Sequence, residues 1–294
     1  MTIRQLRTLV AIAEAKTFTA AAEVVHITHA AVSQQMRALE AELGLTLFNR
    51  TTRTPELTPI ALQIVAKARQ VIADYDNIVP SVLADGGLSG VLALGVMRTT
   101  LTGLTPQAVA ALKAKYPEIG LHIRPGLTST LLAEIEQGRL DAAIISRPFH
   151  MPVGMAFRTL AREPLQLIAA ADEAETDPIA LLQTRPFIRF NRGAVLGALI
   201  DNWLVTHRIK VRETMELDSP EAIASMVHAD LGVSIVPDMA VRALEAVPVK
   251  RLSLGPEAPE RVLGLAYPED HVKARALEEL FAAYAQVIAA AGQG

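Results

Sequence analysis

The sequence predicts an α/β protein overall, built from a small helical unit, one long helix and a larger α/β region. Three observations lead to this prediction. Three short helix patterns and a basic hairpin follow one another within residues 1–58. A continuous helical pattern then runs over residues 59–84. In residues 91–294, strand-like apolar runs alternate with helix patterns, which is typical of α/β domains with mostly parallel sheets.

The composition limits the possible classes of protein. The chain has 294 residues, 51% of them hydrophobic, so two or three domains with buried cores are expected. A net charge of −3 identifies no nucleic-acid or membrane partner, so any such site must be local. The absence of cysteine excludes a disulfide framework, a cysteine zinc finger and a thiol nucleophile. Because the N-terminus lacks a secretory signal pattern and the longest apolar runs are strand-sized, we expect a cytoplasmic protein without a membrane partner.

The first 44 residues contain three helix patterns with clear ends. The first helix is predicted from about Thr2 to Glu14, because its apolar residues recur at helical spacing. Thr17 is a suitable N-cap for a short, alanine-rich second helix. The third helix has Thr28 as its N-cap and Gly44 as its C-terminal stop.

The third predicted helix has two different faces. Its apolar face must pack on the two preceding helices and consists of Val32, Met36, Leu39 and Leu43. The other face is narrow, polar and low in bulk, and consists of Ala30, Ser33, Gln34, Arg37 and Ala41; Gln35 points elsewhere. Such a face suits the major groove of DNA, because alanine permits close approach and the polar side chains can bond base edges. On this segment alone, the alternative is an ordinary amphipathic helix with a solvated face.

Residues 45–58 resemble a short strand, a basic tip and a returning strand. Together with the three helices, this order predicts a winged helix-turn-helix, whose wing arginines would lie near a DNA backbone or minor groove. His29 could donate to a base or a phosphate, or it could be a half-buried partner of Thr28. The predicted DNA-binding residues are Thr28, His29, Ala30, Ser33, Gln34, Arg37, Arg50, Thr52 and Arg53.

The long helix that begins at Pro59 has a coiled-coil pattern. Apolar residues recur at alternating spacings of four and three, at Ala61, Val65, Ala68, Ile72, Tyr75, Val79 and Val82. Pro80 should end or kink the helix near its C-terminus. We expect residues 59–84 to form a dimerising linker and residues 85–90 a hinge; the alternative is a helix that packs only on its own domain.

The α/β region has polar stretches at the carboxyl ends of its predicted strands, where ligands of such sheets bind. These stretches are residues 97–102, 126–130, 146–148 and 189–193. The hydroxyl groups in these stretches lie near helix starts and can donate to a ligand. The exposed amides of a helix N-terminus also favour an anion there. Each threonine could instead be a helix cap, and each arginine a surface ion pair.

The chain resembles the LysR-type transcriptional regulators. The resemblance rests on many residues at fixed spacing: "FTAAAE" (18–23), "AVSQQMRALEAELG" (31–44), "LFNR" (47–50) and "RTPELT" (53–58), with "YPEIGLHI", "GRLDAAI" and "ADLGVSIVP" further on. The family commonly has Gln-Pro where this chain has His29-Ala30, arginine at Gln34, and glycine at Asp230. The first two differences fall where bases would be read, so the family pattern does not supply the target sequence.

The resemblance implies a transcriptional regulator without enzymatic activity. Such a regulator would bind a double-stranded DNA operator and a small organic, acidic effector. It would form a homodimer through the linker helix, and a homotetramer. The resemblance also implies a periplasmic-binding-protein-like effector domain over residues 91–294. Lobe I would comprise about 91–161 and 265–294, and lobe II about 162–264. The implied effector-binding residues are Thr99, Thr100, Thr102, Thr128, Ser129, Ser146, Arg147, Phe190, Asn191 and Arg192, with the arginines holding an acid group.

Other chemistry finds little support in the sequence. The seven histidines show no metal-ligand spacing with nearby acids, so no metal is expected. No phosphate-cradling glycine loop and no G-x-S-x-G elbow is visible, and no cofactor is expected. The second hypothesis is a small-molecule binding protein or an enzyme whose N-terminal unit mediates protein contacts. The polar stripe on the third helix and the wing arginines favour the regulator.

Overall fold

The computed structural model describes residues 1–49, 56–82, 88, 90–238 and 247–291. The chain divides into two compact units. The N-terminal unit comprises residues 1–87 with 133–139, and the C-terminal unit comprises residues 88–132 with 140–294.

The N-terminal unit has the predicted order of elements: α1 (Ile3–Ala15), α2 (Phe18–Val24), α3 (His29–Leu43), β1 (Phe48–Asn49), β2 (Glu56–Leu57) and α4 (Pro59–Val82). The predicted caps are confirmed. The hydroxyls of Thr17 and Thr28 accept from the third backbone N–H that follows each of them, and Gly44 ends α3 with φ 65°. The two strands pair antiparallel as a minimal wing.

The core of this unit lies where α1, α2 and α3 meet the wing. Val32, Met36 and Leu39 on α3 are each 0% exposed, as the apolar face requires, whereas Leu43 is only partly buried. Phe48 on β1 is 1% exposed, so the first wing strand is packed on the same core. Burial of one face leaves the opposite face of α3 at the surface.

The seam predicted on α4 is divided in the structure. Ala61, Val65 and Ala68 are at most 2% exposed, because this part of α4 packs in its own unit, which also holds α1 against it. These three residues of the predicted seam are therefore covered within their own unit. The exposed apolar residues of the described part of α4 are Ile60, Leu62, Val71, Tyr75 and Ile78. Ion pairs between Arg69 and Glu14 and between Arg7 and Asp76 also hold α4 to α1.

The C-terminal unit alternates strands and helices, as the sequence predicts. Its elements are β3 (Gly90–Val96), α5 (Arg98–Leu101), α6 (Leu104–Lys115), β4 (Ile119–Pro125), α7 (Thr128–Glu136), β5 (Ala142–Ser146), β6 (Met155–Ala170), α8 (Pro178–Thr184), β7 (Pro186–Phe190), α9 (Val195–Thr206), β8 (Arg212–Leu217), α10 (Pro220–His228), β9 (Ser234–Pro237), β10 (Val249–Ser253), β11 (Glu260–Pro268) and α11 (Ala274–Ala291). The last residues of α7 group with the N-terminal unit.

The sheets are mixed, which corrects the expectation of mostly parallel ones. The described strands of the large sheet follow the order β10-β6-β11-β5-β3-β4, and β9 also pairs with β6. Among the described strands, the parallel pairs are β3 with β4, β3 with β5, and β7 with β8. All pairs that involve β6 or β11 are antiparallel.

Two hydrophobic cores define the two lobes, and β6 runs from one into the other. Residues 155–164 of β6 pair with β11 in the first lobe, and residues 165–170 pair with β9 and β10 in the second. The change of lobe on β6 thus falls after Pro164. The chain returns to the first lobe before Glu260, because all of β11 pairs within that lobe.

Asp230, where the family commonly has glycine, has a φ of 56°. This left-handed conformation explains the common glycine, since a residue without a Cβ adopts it without strain. Among the residues that the structure describes, no helix combines the length and the apolar character needed to cross a membrane.

Candidate functional site

The polar face of α3 is open to solvent. Ala30, Gln34 and Arg37 are exposed and Ser33 is half-buried. In the part of the chain that the structure describes, Gln34 and Arg37 have no hydrogen bond or ion pair, so their donors and acceptors are available to another molecule. The predicted stripe is therefore a continuous strip of small and unpaired polar side chains on one helix face.

Gln35 is set apart from this stripe by its partner. The Oγ1 of Thr8 donates to its side-chain Oε1 at 2.7 Å, and Thr8 is 1% exposed on α1. Gln35 thus stabilises the packing of α3 on α1, which agrees with its predicted direction away from the stripe.

The acidic residues of α3 are turned away from the stripe. The carboxylate of Glu40 accepts from the backbone N–H groups of Leu47 and Phe48 at 2.8 and 3.2 Å, which anchors β1 to the helix. Glu42 pairs with the amino group of Met1. The surface left for a polyanion therefore lacks a competing carboxylate on this helix face.

The remaining predicted DNA-binding residues divide into two groups. Thr28 caps α3, with its Oγ1 accepting from the N–H of Ala31 at 3.2 Å, and His29 is exposed with its ring 6.1 Å from that of Phe18. Arg50, Thr52 and Arg53 lie outside the described residues, so their contribution to the wing stays a prediction.

A cleft lies between the two lobes of the C-terminal unit, at the carboxyl ends of β3, β5 and β7. It contains about 380 Å³ of empty space, part of it open to solvent. Its lining residues are Met97, Arg98, Thr99, Gly126, Leu127, Thr128, Ser146, Phe190, Ala194, Val195, Leu196, Asp218 and Arg261. The strand-end rule selects the edge of the sheet at which this cleft lies.

Four of the predicted effector-binding residues line this cleft: Thr99, Thr128, Ser146 and Phe190. Each is at most 9% exposed. They come from both lobes, so the cleft can contact a ligand from two sides.

The other predicted hydroxyl residues do not line the cleft. Thr100 is 2% exposed and faces the core, where its Oγ1 donates to the carbonyl of Met97 at 3.0 Å. Thr102 is exposed and donates to Glu221, which holds α5 to α10 across the lobes. Ser129 is exposed in the first turn of α7.

The predicted arginines, Arg147 and Arg192, are not among the residues that line the cleft. The guanidinium of Arg147 lies over the ring of Phe157, 5.5 Å from its centroid. Arg192 is exposed and donates to Glu213, and its backbone N–H donates to Glu216. Asn191 closes its own turn by accepting from the N–H of Gly193 at 2.7 Å.

Glu213 is held as a carboxylate by Arg189 and Arg192. A hydrogen bond from Arg189 lowers the pKa of Glu213; burial opposes this change and Arg192 adds to it. Arg192 is therefore committed to an internal partner and not directed at the cleft.

Two arginines line the cleft: Arg98, which is exposed and 3.7 Å from Asp218, and the buried Arg261, which sequence reasoning missed. Arg261 is 1% exposed on β11, directly opposite Glu163 on β6, which is 3% exposed. Its Nε donates to Glu163 Oε2 at 2.6 Å, and its Nη1 donates to Thr99 Oγ1 at 3.0 Å. Its Nη2 lies against the same carboxylate without forming a hydrogen bond. No local motif marks Arg261, because strand pairing alone brings it to the cleft.

Helix N-termini add positive potential to the cleft. The first residues of α7 and α9 belong to the lining, and Ala194 at the start of α9 provides no side-chain cap. The first N–H groups of these helices therefore lack intrahelical partners and favour a negative group nearby. Within the described ranges, no cluster of three or more histidine, aspartate or glutamate side chains could hold a metal ion.

Two family models match the chain and together cover most of it. Residues 3–62 match the bacterial regulatory helix-turn-helix protein model of the lysR family, and residues 85–289 match the LysR substrate binding domain. These matches correspond to the unit that carries α3 and to the two-lobed region that carries the cleft.

Curated relatives and solved structures agree with these models. The HTH-type transcriptional regulator CzcR of Bacillus subtilis is 27% identical over 244 residues, 83% of each chain. The hydrogen peroxide-inducible genes activator of Haemophilus influenzae is 29% identical over 249 residues, 82% of this chain and 81% of that one. A full-length OxyR variant from Pseudomonas aeruginosa is similar with a TM-score of 0.78 and 27% identity, covering 97% and 94% of the two chains.

CbnR in complex with its target DNA shares the fold. Its TM-score is 0.65 at 22% identity, and the match covers 96% of this chain and all of that one. The relatives reported above are transcriptional regulators by name. The chain therefore belongs to the LysR family of bacterial helix-turn-helix regulators, and it is a DNA-binding transcriptional regulator with a C-terminal effector-binding domain.

Proposed function

We propose that this regulator places α3 in the major groove of a double-stranded operator and sets its wing, residues 50–53, on the DNA backbone. The observation that carries the proposal is the exposed stripe on α3, where Ala30, Ser33, Gln34 and Arg37 face outward while the opposite face is buried. The stripe has the reach and the chemistry for base edges. A chromosomal operator also implies a cytoplasmic location for the protein.

The experiment that tests this proposal is a gel shift with DNA from immediately upstream of the protein's own coding region. We expect sequence-preferring binding at sub-micromolar protein that weakens as salt rises, because phosphate contacts release counterions. Binding that is equal on unrelated DNA, or no binding at all, would show that the stripe has another purpose.

We also propose that the operator is bound by a homodimer formed through α4, and that dimers pair into a homotetramer. Exposed apolar side chains support this assembly: Leu62, Val71 and Ile78 are 56%, 47% and 55% exposed on the described part of α4. A two-fold dimer would present two α3 helices to two half-sites. Light scattering of Val71→Asp and Ile78→Asp tests it, since each introduces a charge that should shift the assembly to smaller species.

The proposed effector is a small organic acid that binds between the lobes and changes the operator contacts. Arg261, the hydroxyls of Thr99, Thr128 and Ser146, and the uncapped start of α9 all favour a negative group in the cleft. Effector and operator must each change the affinity for the other by the same factor. The proposal is that this chain acts by binding alone, without catalysis.

Thermal-shift screening of small organic acids tests the effector proposal. An acid that binds only the folded protein must raise its unfolding temperature as its concentration rises. An acid found in this way should also change the gel shift; an acid that stabilises the protein without altering DNA binding would separate occupancy of the cleft from regulation.

A further inference from the structure

The floor of the cleft contains an unusual acceptor, the thioether of Met97. The backbone N–H of Ser146 lies 3.0 Å from Met97 Sδ, and the hydroxyls of Ser146 and Thr128 lie at 3.4 and 3.7 Å. Three donors thus converge on one sulfur atom, although thioether sulfur is only a weak acceptor.

These donors are shielded from water and lack a better partner. Ser146, Thr128 and Met97 are 3%, 5% and 8% exposed. The Thr128 hydroxyl has one alternative acceptor, the carbonyl of Ser146, at a long 3.4 Å. Buried donors normally have strong acceptors, since an unsatisfied one costs about 1–3 kcal/mol. These donors would therefore form stronger hydrogen bonds with an oxygen acceptor than they form with the sulfur.

The surroundings favour a charged oxygen over a neutral one. Thr99 Oγ1 accepts from Arg261 Nη1, so its own hydrogen is free to donate into the cleft. Arg261 is 1% exposed and lines the cleft, where its Nη1 donates to Thr99 and its Nη2 is paired with the carboxylate of Glu163. A carboxylate offers about four lone-pair sites and is the acceptor that such donors bind most strongly.

We propose that Met97 is a built-in occupant of a carboxylate subsite formed by Ser146, Thr128 and Thr99 beside Arg261. In the ligand-free protein its sulfur takes the donors and fills the space; an effector carboxylate displaces it. The strength of the sulfur contacts then sets the affinity of the subsite. This inference rests on the proposed effector function of the cleft.

Two variants of Met97 with opposite expected effects test the proposal. Leucine keeps the size of methionine but accepts no hydrogen bond, so Met97→Leu leaves the donors free for a carboxylate. Glutamine has nearly the same length and carries an amide oxygen, so Met97→Gln is a stronger internal competitor. Met215→Leu is the matched control, because Met215 packs on the core of the second lobe, away from the cleft.

The probe is sodium acetate, with acetamide as its uncharged counterpart and ionic strength held constant with sodium chloride. Apparent acetate affinity is measured from the unfolding temperature of the full chain over a series of concentrations. We expect Met97→Leu to bind acetate about ten-fold more tightly than the wild type, and Met97→Gln about ten-fold more weakly, as one exchanged hydrogen bond would give. Acetamide should bind more weakly than acetate to each protein.

The outcomes separate this inference from the proposed function. If both Met97 variants shift acetate affinity in the same direction, or neither differs from Met215→Leu, the subsite proposal is overturned even if other acids regulate DNA binding. If the affinities move in opposite directions but no acid alters the gel shift, the subsite stands and the effector function fails. If Met97→Leu lacks a cooperative transition, unchanged or tighter acetate binding by Met97→Gln would still overturn the proposal.

Discussion

The buried ion pair between Arg261 and Glu163 makes a strong prediction about the stability of the C-terminal unit. The two side chains face each other on β11 and β6 next to the change of lobe, and they are 1% and 3% exposed. Arg261→Met keeps most of the apolar stem but removes the charge. Glu163 then remains as a buried carboxylate without its cation, and Thr99 loses a donor.

The expected loss is large because the remaining charge has no access to water. Removing one partner of a buried pair costs about 3–5 kcal/mol. With a urea dependence of about 3 kcal/mol per molar, the upper end of the usual range and suited to a unit of this size, the unfolding midpoint should fall by about 1–2 M. The double variant Arg261→Met, Glu163→Gln leaves no buried charge, so it should recover a substantial part of the loss.

The assay is urea unfolding followed by the fluorescence of Trp203. This is the one tryptophan of the chain, and it is 5% exposed in the second lobe, with its Nε1 donating to the carbonyl of Glu257. Its signal therefore reports the unfolding of the C-terminal unit that also contains the ion pair.

An exposed ion pair on the same two strands is the matched control. Arg162 and Glu260 form a 2.9 Å contact with side chains 60% and 42% exposed. Arg162→Met should therefore cost less than about 1 kcal/mol. A loss at Arg261 no larger than that at Arg162, or single-variant losses at Arg261 and Glu163 that simply add in the double variant, would refute the reasoning.

Three further predictions concern DNA binding and acid stability. Gln34→Ala should relax the preference at one base pair by about 1–3 kcal/mol, measured by gel shifts on operators that differ at single bases. Gln35→Ala should keep that preference but lower the free energy of unfolding by about 1 kcal/mol. If Gln34→Ala weakened binding equally on every DNA, the role of Gln34 would be contradicted. Arg53→Ala should weaken binding to all DNA and reduce the salt slope by about 1, and a loss confined to one sequence would exclude backbone contact. Burial raises the pKa of Asp141, but hydrogen bonds from His271, Lys273 and the N–H of Ala93 outweigh it and lower that pKa below 3.8. The charged Asp141 therefore stabilises the folded protein fully above the pKa that Asp141 has in the unfolded chain, and this stabilisation is lost as pH falls through its lower pKa in the folded protein. The urea midpoints of Asp141→Asn and the wild type should differ at neutral pH and converge as pH falls below about 4.

The linker helix shows that a spacing pattern can predict an apolar stripe without identifying what covers each part of it. The four-three spacing correctly predicts a long helix with an apolar stripe, but spacing carries no information about which surface covers the stripe. Ala61 and Val65 are covered within their own unit, while Val71 and Ile78 stay exposed. Only the packing of α1 on α4 separates these residues into two groups.

The cleft shows the same limit for a binding site. The rule that ligands bind at the carboxyl ends of strands selects Thr99, Thr128 and Ser146, which line the cleft. It cannot give the direction of a side chain, so it also selects Thr100 and Arg147, although one faces the core and the other lies on Phe157. Side-chain direction within a short helix or after a strand depends on packing around it.

The sequence by itself determined the properties of this regulator that arise from neighbouring residues. The caps of its helices, the two faces of α3 and the alternation of strands with helices are local, because they depend on periodicity and on side chains a few positions apart. The tertiary structure alone decided which distant residues meet. Arg261 reaches Glu163 and Thr99, and three donors reach Met97, because β6 and β11 pair antiparallel within the first lobe and because β3 lies beside β5. The chemistry of the cleft depends on these long-range pairings, whereas the helix proposed to read DNA is visible in fifteen consecutive residues.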